Sequence, residues 1–451
     1  MQAEKASRED LHAVHKTVER LARAAGAEDV ETHVGCHIEA LTRFANNTIH
    51  QNVAERGQYL SVRVQIGQKT ARATTNRFDE ASLENVVAQA TALAKAVEPF
   101  PDLLPMAEPA ALTPVSRFHK ATSDATPDDR ANAVSEAIRV VEAAGQTAAG
   151  IYSTGQEAGA LFNSRGVAAY HSETISHFSI TAMAGDSSGW AKASAGDIAL
   201  ISPVELARRA ADKARLSGAP RELSPGTYTV ILEPAAVLDL VGQIFSDFSA
   251  TAIADQRSFL TDRIGRQLFG NNIIIHDDAY HPLQAGPNYD GEGVPRKQLI
   301  LVDQGTPREI AWSRSMAHKA GVEPTGHGFP LPNETGEMPV NIVIEGGSTS
   351  LEELIASTAR GILVTRLWYI REVEPYEKIM TGMTRDGTFL IEGGELVCGL
   401  KNFRFNQSVI ELLNNVEAMS PAVRSSGEEA FDMVVPAMKV NNFHFTEVTR
   451  F

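Results

Sequence analysis

The sequence predicts an α+β protein of two domains, and three observations support this. The chain has 451 residues, more than one hydrophobic core usually organises. In its first half, apolar residues repeat every three to four positions in some segments and at alternate positions in others, which indicates helices and strands together. After Lys297, short strand-like segments punctuated by glycine dominate. A link between Pro220 and Pro225 gives predicted domains of residues 1–222 and 223–451.

The first domain is expected to hold four helices and a sheet. The first helix begins at its cap, Ser7, and ends at Gly26. Further helices are expected at about residues 79–97, 127–145 and 203–216. Strands are expected at residues 30–41, 60–66 and 151–183. Repeated prolines predict an extended connector at residues 99–114, because proline lacks an amide donor and stops helices.

The second domain is expected to begin with a strand at residues 228–232 and a helix at 234–249. An apolar strand at residues 273–275 is predicted to end in a solvated acidic turn. A closing segment at residues 433–440 is a further strand candidate. We expect it to lie either at a subunit junction or within an internal sheet.

Composition excludes several functions. The formal net charge of −15, without a cluster of Lys and Arg, argues against direct nucleic-acid binding. No apolar run is long enough to cross a membrane. The charged start, residues 1–10, resembles no secretory signal, so a cytoplasmic location is expected. Cys36 and Cys398 are too few for a disulfide framework or a four-thiolate zinc site.

His33, Cys36 and His37 form the first candidate metal cluster, since thiolate and imidazole are the ligands that zinc prefers. On a strand, however, Cys36 faces away from both histidines, which lie roughly 13 Å apart at about 3.3 Å per residue. We therefore predict that Cys36 is a core residue.

His276, Asp277, Asp278 and His281 form a second candidate cluster. His276, Asp278 and His281 could hold a divalent metal if the loop folded back on itself. The acidic turn is the favoured interpretation, because charged residues at strand ends are usually solvated.

Thr325, Gly326 and His327 form a loop that could meet an extended peptide through its backbone amides and imidazole. A tight turn accounts for it equally well. The sequence contains neither a Gly-x-Ser-x-Gly nucleophile elbow nor a phosphate-binding glycine loop.

Short stretches in a fixed order suggest a family. They are RFANNTIHQN at residues 43–52, LSVRV at 60–64, SFL at 258–260, DGEGV at 290–294, TGH at 325–327, GTFLIEGGE at 387–395 and KNFRFN at 401–406. Their order and spacing resemble the TldD/PmbA family, also called modulators of DNA gyrase. The resemblance implies an N-terminal α/β domain with a mixed sheet, and a larger, mostly antiparallel C-terminal β domain with flanking helices.

The resemblance also implies a two-part peptidase in which one subunit type binds zinc through a His-Glu-x-x-x-His helix and a late cysteine. Here the corresponding helix has Gly242, Gln243 and Asp247, and the late cysteine is replaced by residues 425–427, Ser-Ser-Gly. We therefore expect a PmbA-like or TldE-like subunit without cofactor or catalytic residue of its own.

As a consequence, the expected partners are a zinc-bearing TldD-like subunit or a second copy, and an unfolded peptide held by strand addition. The C-terminal domain is expected to supply most of the dimer contact. Two alternatives stay open: an autonomous metal-dependent peptidase with a relocated metal, and a homodimeric peptide-binding scaffold.

Overall fold

The computed structural model describes residues 7–449. Residues 1–6, which belong to the polar start used above to argue against a secretory signal, lie outside the described range, as do residues 450 and 451.

The first half consists of a sheet and the helices that cover it. Its elements are α1 (Arg8–Ala24), β1 (Asp29–Ala45), β2 (Thr48–Ile66), β3 (Lys69–Thr75), α2 (Glu80–Ala96), α3 (Lys120–Ser123), α4 (Pro127–Ala143), β4 (Thr147–Asn163), β5 (Ala168–Ala184), β6 (Ser187–Ala195) and α5 (Pro203–Leu216). The four long helices agree with the sequence prediction. At α1, Ser7 and Asp10 form the expected reciprocal capping box.

The six strands form one sheet in the order β3-β2-β1-β4-β5-β6. All neighbours are antiparallel. The α+β class is thus correct, but the mixed sheet expected for this domain is wrong. Four of the five pairings are hairpins between consecutive strands, and a hairpin can join only antiparallel strands.

All four long helices pack on one face of this sheet. α1 and α2 cover Val34, Cys36 and Leu60 at one end, and α4 and α5 cover Phe178 and Ile180 at the other. The opposite face carries Leu161 and Ala169, which pack against Tyr289 of the second half. That face is therefore where the two halves of the chain meet.

The second half has more and shorter elements. They are β7 (Gly226–Leu232), α6 (Pro234–Val241), α7 (Ala250–Ala254), β8 (Ile275–Asp277), β9 (Leu299–Asp303), β10 (Thr306–Pro307), α8 (Arg314–Ala320), β11 (Ile342–Ile344), α9 (Leu351–Ala356), β12 (Arg360–Glu374), β13 (Ile379–Glu392), β14 (Glu395–Gly399), β15 (Phe403–Ser408), α10 (Val409–Asn414), β16 (Val416–Met419), β17 (Val423–Ser425), β18 (Met433–Val435) and β19 (Met438–Val448).

These strands form two sheets over one large core. The first has the order β10-β9-β8-β11-β18-β17. In the second sheet, each strand pairs with the next in the spatial order β12, β7, β19, β15, β13. Strand β13 also pairs with β12, so these five strands close into a ring. Among the pairs of strands described in this half, only β11 with β18 and β12 with β7 are parallel. The expected mostly antiparallel character is confirmed.

Two sequence predictions need correction here. The helix expected at residues 234–249 ends at Val241 and continues as a 3-10 turn, Gly242–Asp247, since glycine is a poor helix former. The closing segment at residues 433–440 is split at Pro436 into β18 and β19. These belong to different internal sheets, and Met433 and Met438 are fully buried. This segment therefore completes internal sheets and offers no free surface for a subunit junction.

Across residues 7–449, no helix is both long enough and apolar enough to pass through a membrane.

Candidate functional site

A chain of three polar side chains lies where the long loops of the second half meet the first-half sheet. His327 Nδ1 lies 3.0 Å from Thr325 Oγ1, and His327 Nε2 lies 3.0 Å from Asp277 Oδ1. His327 is 1% exposed and Asp277 is 0% exposed. Because a carboxylate only accepts hydrogen bonds, Nε2 is the protonated nitrogen that donates to Asp277.

Asp277 is held from two further directions. Its Oδ2 accepts hydrogen bonds from the amides of Val340 and Asn341, at 2.6 and 2.8 Å. Burial favours a raised pKa, but the hydrogen bond and charge of His327, with smaller contributions from Arg296 and Asn341, outweigh it and lower the pKa of Asp277. The solvated acidic turn predicted here is therefore wrong for Asp277, which is a buried anion with partners on every side.

A hydrogen bond and close backbone packing hold the loop that carries Thr325, Gly326 and His327. Thr325 Oγ1 accepts from the amide of Trp312 at 2.8 Å. Gly326 has φ of 75°, and a Cβ there would lie 2.2 Å from the carbonyl oxygen of Pro295. Only glycine tolerates both the positive φ and the close carbonyl oxygen. The sequence grouped these three residues correctly as a loop, and the structure turns His327 alone toward a cavity.

The Asp290–Val294 turn contacts the first-half sheet beside this loop. Gly293 has φ of 80°, and a Cβ at this position would lie 2.7 Å from Val167 and 2.9 Å from Leu161. The Asp290 carboxylate holds the turn by accepting from the amides of Glu292, Val294 and Gly328 at 2.9, 3.0 and 2.8 Å. Loop and turn are thus fixed to each other and lie against the sheet.

A cavity of about 230 Å³ lies between the sheet, the turn and the loop. Its polar walls carry His33, Tyr59, Tyr289, Asp290, Arg296 and His327, and its apolar walls carry Ala160, Leu161, Pro287, Phe329, Pro330, Met338 and Val340. Burial raises the pKa of Tyr59 and Tyr289 further above their ordinary values, so both remain neutral phenols. We call this space the junction cavity.

The three residues of the alternative metal site have separate partners. His276 Nε2 lies 2.8 Å from Glu345 Oε1. Asp278 accepts from the amide of Tyr280 at 2.8 Å, and His281 Nδ1 accepts from the amide of Leu283 at 3.2 Å. Within the described residues, no group of three or more His, Cys, Asp or Glu side chains is placed to hold a metal ion.

Cys36 occupies the core, as predicted. It is 1% exposed and packs under α1 and α2, and burial raises the pKa of its thiol. His33 lies on the opposite face of β1, 3.3 Å from Glu31, where it lines the junction cavity.

The end of α6, where the resemblance places zinc ligands in other subunits, is filled by protein. A Cβ at Gly242 would lie 2.6 Å from Ala430 Cβ, so no larger side chain fits there. Asp247 forms an ion pair with Lys378 Nζ at 2.6 Å, with both side chains at most 5% exposed. Burial raises the pKa of Asp247, and Lys378 opposes that rise. These two positions do not fit a zinc site, because one has no room for a ligand and the other already neutralises a cation.

The segment that replaces the late cysteine folds onto the same helix. Asp239 of α6 accepts from the amides of Glu428 and Glu429, both at 2.9 Å. A Cβ at Gly427 would lie 2.1 Å from Asp239 Oδ1, so glycine permits this approach. Burial is the main cause that raises the pKa of Asp239 to about 6. A carboxylate bound to the loop backbone thus occupies the space between α6 and the Ser-Ser-Gly segment.

The sequence placed Asp277 in a candidate cluster but assigned it to a solvated turn, and it did not single out Arg296. The burial of Asp277 had a signal, because it shares a strand face with the fully buried Ile275 and alternation therefore points it inward. Arg296 had none, since its position in the cavity wall depends on contacts with Asn288 and Tyr280.

Fold and site together define an α+β protein with a cavity where the two halves of the chain meet, and a cleft between structural units is a common location for ligand binding. The family follows from comparison. Models of the PmbA/TldA metallopeptidase domain 1, central domain and C-terminal domain match residues 38–94, 116–217 and 225–447. The chain belongs to the PmbA/TldD metallopeptidase family.

Individual proteins are similar to this chain in fold or in sequence. TldE from Thermococcus kodakarensis superposes with a TM-score of 0.87 at 20% identity, over 96% of this chain and 100% of that one. A Methanothermobacter thermautotrophicus protein named Metalloprotease is 26% identical over 231 residues, which span 49% of this chain and 48% of that protein. A Haemophilus influenzae protein named Metalloprotease PmbA homolog is 25% identical over 411 residues, 85% of each chain.

Proposed function

We propose that this chain is a subunit of a TldD/TldE-type peptidase assembly that holds extended peptides and leaves the metal chemistry to a zinc-bearing partner. The observation that carries this proposal is the filled end of α6. Gly242 packs against Ala430, and Asp247 is neutralised by Lys378. A zinc ion needs three or four free ligands at about 2.0–2.3 Å, and these positions supply none.

Strand addition is the proposed way of holding the peptide. β2 pairs with β1 along nearly all of its length, but β3 covers its other edge only from Leu60 to Ile66. Between Thr48 and Glu55 all side chains but Ile49 are exposed. An edge of this kind can pair with the backbone of an extended chain whatever its side chains are. The edge that β3 leaves uncovered ends at Tyr59, which also lines the junction cavity.

The proposed location is the cytoplasm, and the proposed partner is a zinc-bearing relative or a second copy. The autonomous peptidase would need His276, Asp278 and His281 on one metal. Their separate hydrogen-bond partners favour the subunit instead.

Reconstitution tests this function. A zinc-bearing family member from the same genome is assayed for cleavage of an unfolded fluorogenic peptide, alone and with increasing amounts of this chain. We expect cleavage to rise until the two chains are equimolar, together with a heterodimer in sedimentation velocity. A chain that stays monomeric with each such relative and leaves their rates unchanged would exclude the partner-subunit role.

A further inference from the structure

We infer that the junction cavity takes one bulky apolar side chain of an extended peptide, such as that of phenylalanine or leucine. This inference rests on the proposed peptide-holding function and adds a preference for the kind of peptide that is held. Such a peptide would place its backbone on the open edge of β2 and one side chain in the cavity.

The apolar part of the cavity wall comes from both halves of the chain. Leu161 belongs to β4 of the sheet, and Phe329, Met338 and Val340 belong to the loops of the second half. A ligand that is covered by such side chains loses apolar surface to water, which favours binding of an apolar group.

The polar side chains of the wall are largely occupied by contacts within the protein. The hydroxyls of Tyr59 and Tyr289 donate to oxygen atoms of β4, at 3.1 and 3.5 Å. Both ring nitrogens of His327 have partners, and both carboxylate oxygens of Asp290 accept from backbone amides. A ligand that depends on hydrogen bonds would therefore find few free partners in this wall.

The charges of the wall also favour a neutral ligand. Asp290 and Arg296 bring opposite charges to the cavity, and the guanidinium partly offsets the rise that burial causes in the pKa of Asp290. A charged side chain would be attracted by one of these residues and repelled by the other, and its removal from water is costly. A neutral apolar side chain avoids that cost.

The volume of the cavity matches one side chain. An apolar cavity of about 150 Å³ is enough to hold benzene, so about 230 Å³ has room for a phenyl ring or a leucine side chain. The same volume is smaller than the roughly 300–1,000 Å³ typical of sites for drug-sized ligands. Size therefore favours a single side chain over a longer stretch of peptide.

Contacts between the two halves hold the walls in place before any ligand enters. Arg72 Nε donates to the carbonyl of Leu331 at 2.7 Å, and Arg72 Nη2 forms an ion pair with the fully buried Glu31 at 2.7 Å. A Cβ at Gly291 would lie 2.3 Å from the nitrogen of Pro330, so glycine allows the turn to pack directly against this loop. Walls that are already ordered lower the entropic cost of binding.

The cavity adjoins the edge on which the peptide backbone is proposed to lie. The uncovered edge of β2 ends at Tyr59, which also lines the cavity. Gly35 of β1 lies opposite Tyr59, and a Cβ there would be 2.6 Å from the Tyr59 hydroxyl. Glycine thus allows the Tyr59 side chain to lie across β1, between the open edge and β4.

Binding of a series of guest peptides by the whole chain tests the inference. An unfolded host peptide of serine and threonine with an N-terminal fluorophore carries one guest residue, which is phenylalanine, leucine, alanine, lysine or glutamate, and fluorescence anisotropy gives each Kd. Because the larger apolar side chains bury more surface, we expect the phenylalanine and leucine peptides to bind about tenfold or more tightly than the alanine peptide. The lysine and glutamate peptides should bind no better than the alanine peptide.

Two tryptophan variants separate the cavity from general apolar attraction. Met338→Trp enlarges a wall residue and should shift the preference from phenylalanine toward a smaller valine guest. Val322→Trp adds the same side chain at a surface position 47% exposed and should keep the wild-type order of guests. A photoreactive diazirine analogue of leucine as the guest gives a readout that needs no variant. Irradiation should cross-link it to wall residues such as Tyr59, Phe329 or Met338, identified by mass spectrometry.

The outcomes distinguish this inference from the proposed function. Three results overturn the apolar side-chain site and leave peptide holding intact: equal binding of the phenylalanine and alanine guests, the wild-type order in folded Met338→Trp, or cross-links confined to residues outside the cavity. Tightest binding of the lysine guest also overturns it, because the charge of Asp290 would then govern the choice. If no guest peptide binds, with and without a zinc-bearing relative, both proposals fail. A folding defect in Met338→Trp leaves the guest series and the cross-linking of the wild-type chain decisive.

Discussion

Buried carboxylates lie both at the end of α6 and beside the junction cavity, but the packing around them differs. At α6, Asp247 is paired with Lys378 and Asp239 with a loop backbone, and neighbouring side chains fill the space. At the junction, Asp277 and Asp290 are also bound, yet a cavity of about 230 Å³ remains beside them. We therefore expect changes in the first region to alter stability and changes beside the cavity to alter the proposed peptide binding.

The largest expected effect is on the Asp247–Lys378 pair. Lys378→Met keeps the apolar stem and removes the ammonium, which leaves the buried Asp247 carboxylate without its cation and also breaks the ion pair with Glu372. We expect a loss of about 3–5 kcal/mol in the free energy of unfolding, measured by equilibrium urea denaturation. The double variant Asp247→Leu/Lys378→Met is the control and should recover part of the loss, because it removes the buried charge but leaves the Phe259 amide without its acceptor and Glu372 without its ion pair. A single variant within about 1 kcal/mol of wild type would show that the pair does not stabilise the α6 end.

Asp239 should make stability depend on pH. Its pKa is raised from 3.8 to about 6 in the folded state, mainly by burial. Between these two pKa values, the folded protein therefore keeps a proton on Asp239 that the unfolded chain has released. The stabilisation from this group is complete below the unfolded pKa near 4 and is lost as pH rises through 6. A shift of this size corresponds to about 3 kcal/mol.

Asp239→Asn isolates this contribution, because asparagine does not titrate. Urea denaturation gives the free energy of unfolding of both proteins. From pH 4 to pH 6, this free energy should fall for the wild type relative to the variant. Parallel curves for the two proteins would refute the raised pKa.

A smaller effect is expected at Cys36, in the sheet core away from both regions. Cys36→Ser places a hydroxyl among apolar side chains and should cost about 1–3 kcal/mol. Peptide binding by the folded variant should remain at the wild-type level, because the thiol faces α1 and α2 and not the junction cavity. Unchanged thermal stability combined with lost activity in the reconstituted complex would instead assign Cys36 a functional role.

The same comparison explains what the sequence could predict. α1 and α4 carry capping boxes, and Cys36 lies on an alternating strand, so nearby residues determine these features. The all-antiparallel sheet was missed because strand direction depends on which hairpins form. The break at Pro436 was visible in the sequence, since proline interrupts strand pairing.

The contacts around the junction cavity could not be predicted from neighbouring residues in the sequence. His327 and Asp277 are 50 residues apart in sequence, and their contact depends on how two long loops pack on a sheet. The position of Gly326 within a tight loop was predictable, but its role in supporting the backbone of Arg296 was not. The filled α6 end was partly foreseeable, because the absence of histidine from that helix was visible while the Lys378 partner was not.

Metal content and cleavage by the purified chain, measured with and without a zinc-bearing relative, test the central claim most directly. We predict less than stoichiometric zinc in this chain, no peptide cleavage by it alone, and faster cleavage by the relative when the chain is added. About one tightly bound metal per chain, with cleavage by the chain alone that His276→Ala abolishes, would contradict it and favour the autonomous peptidase.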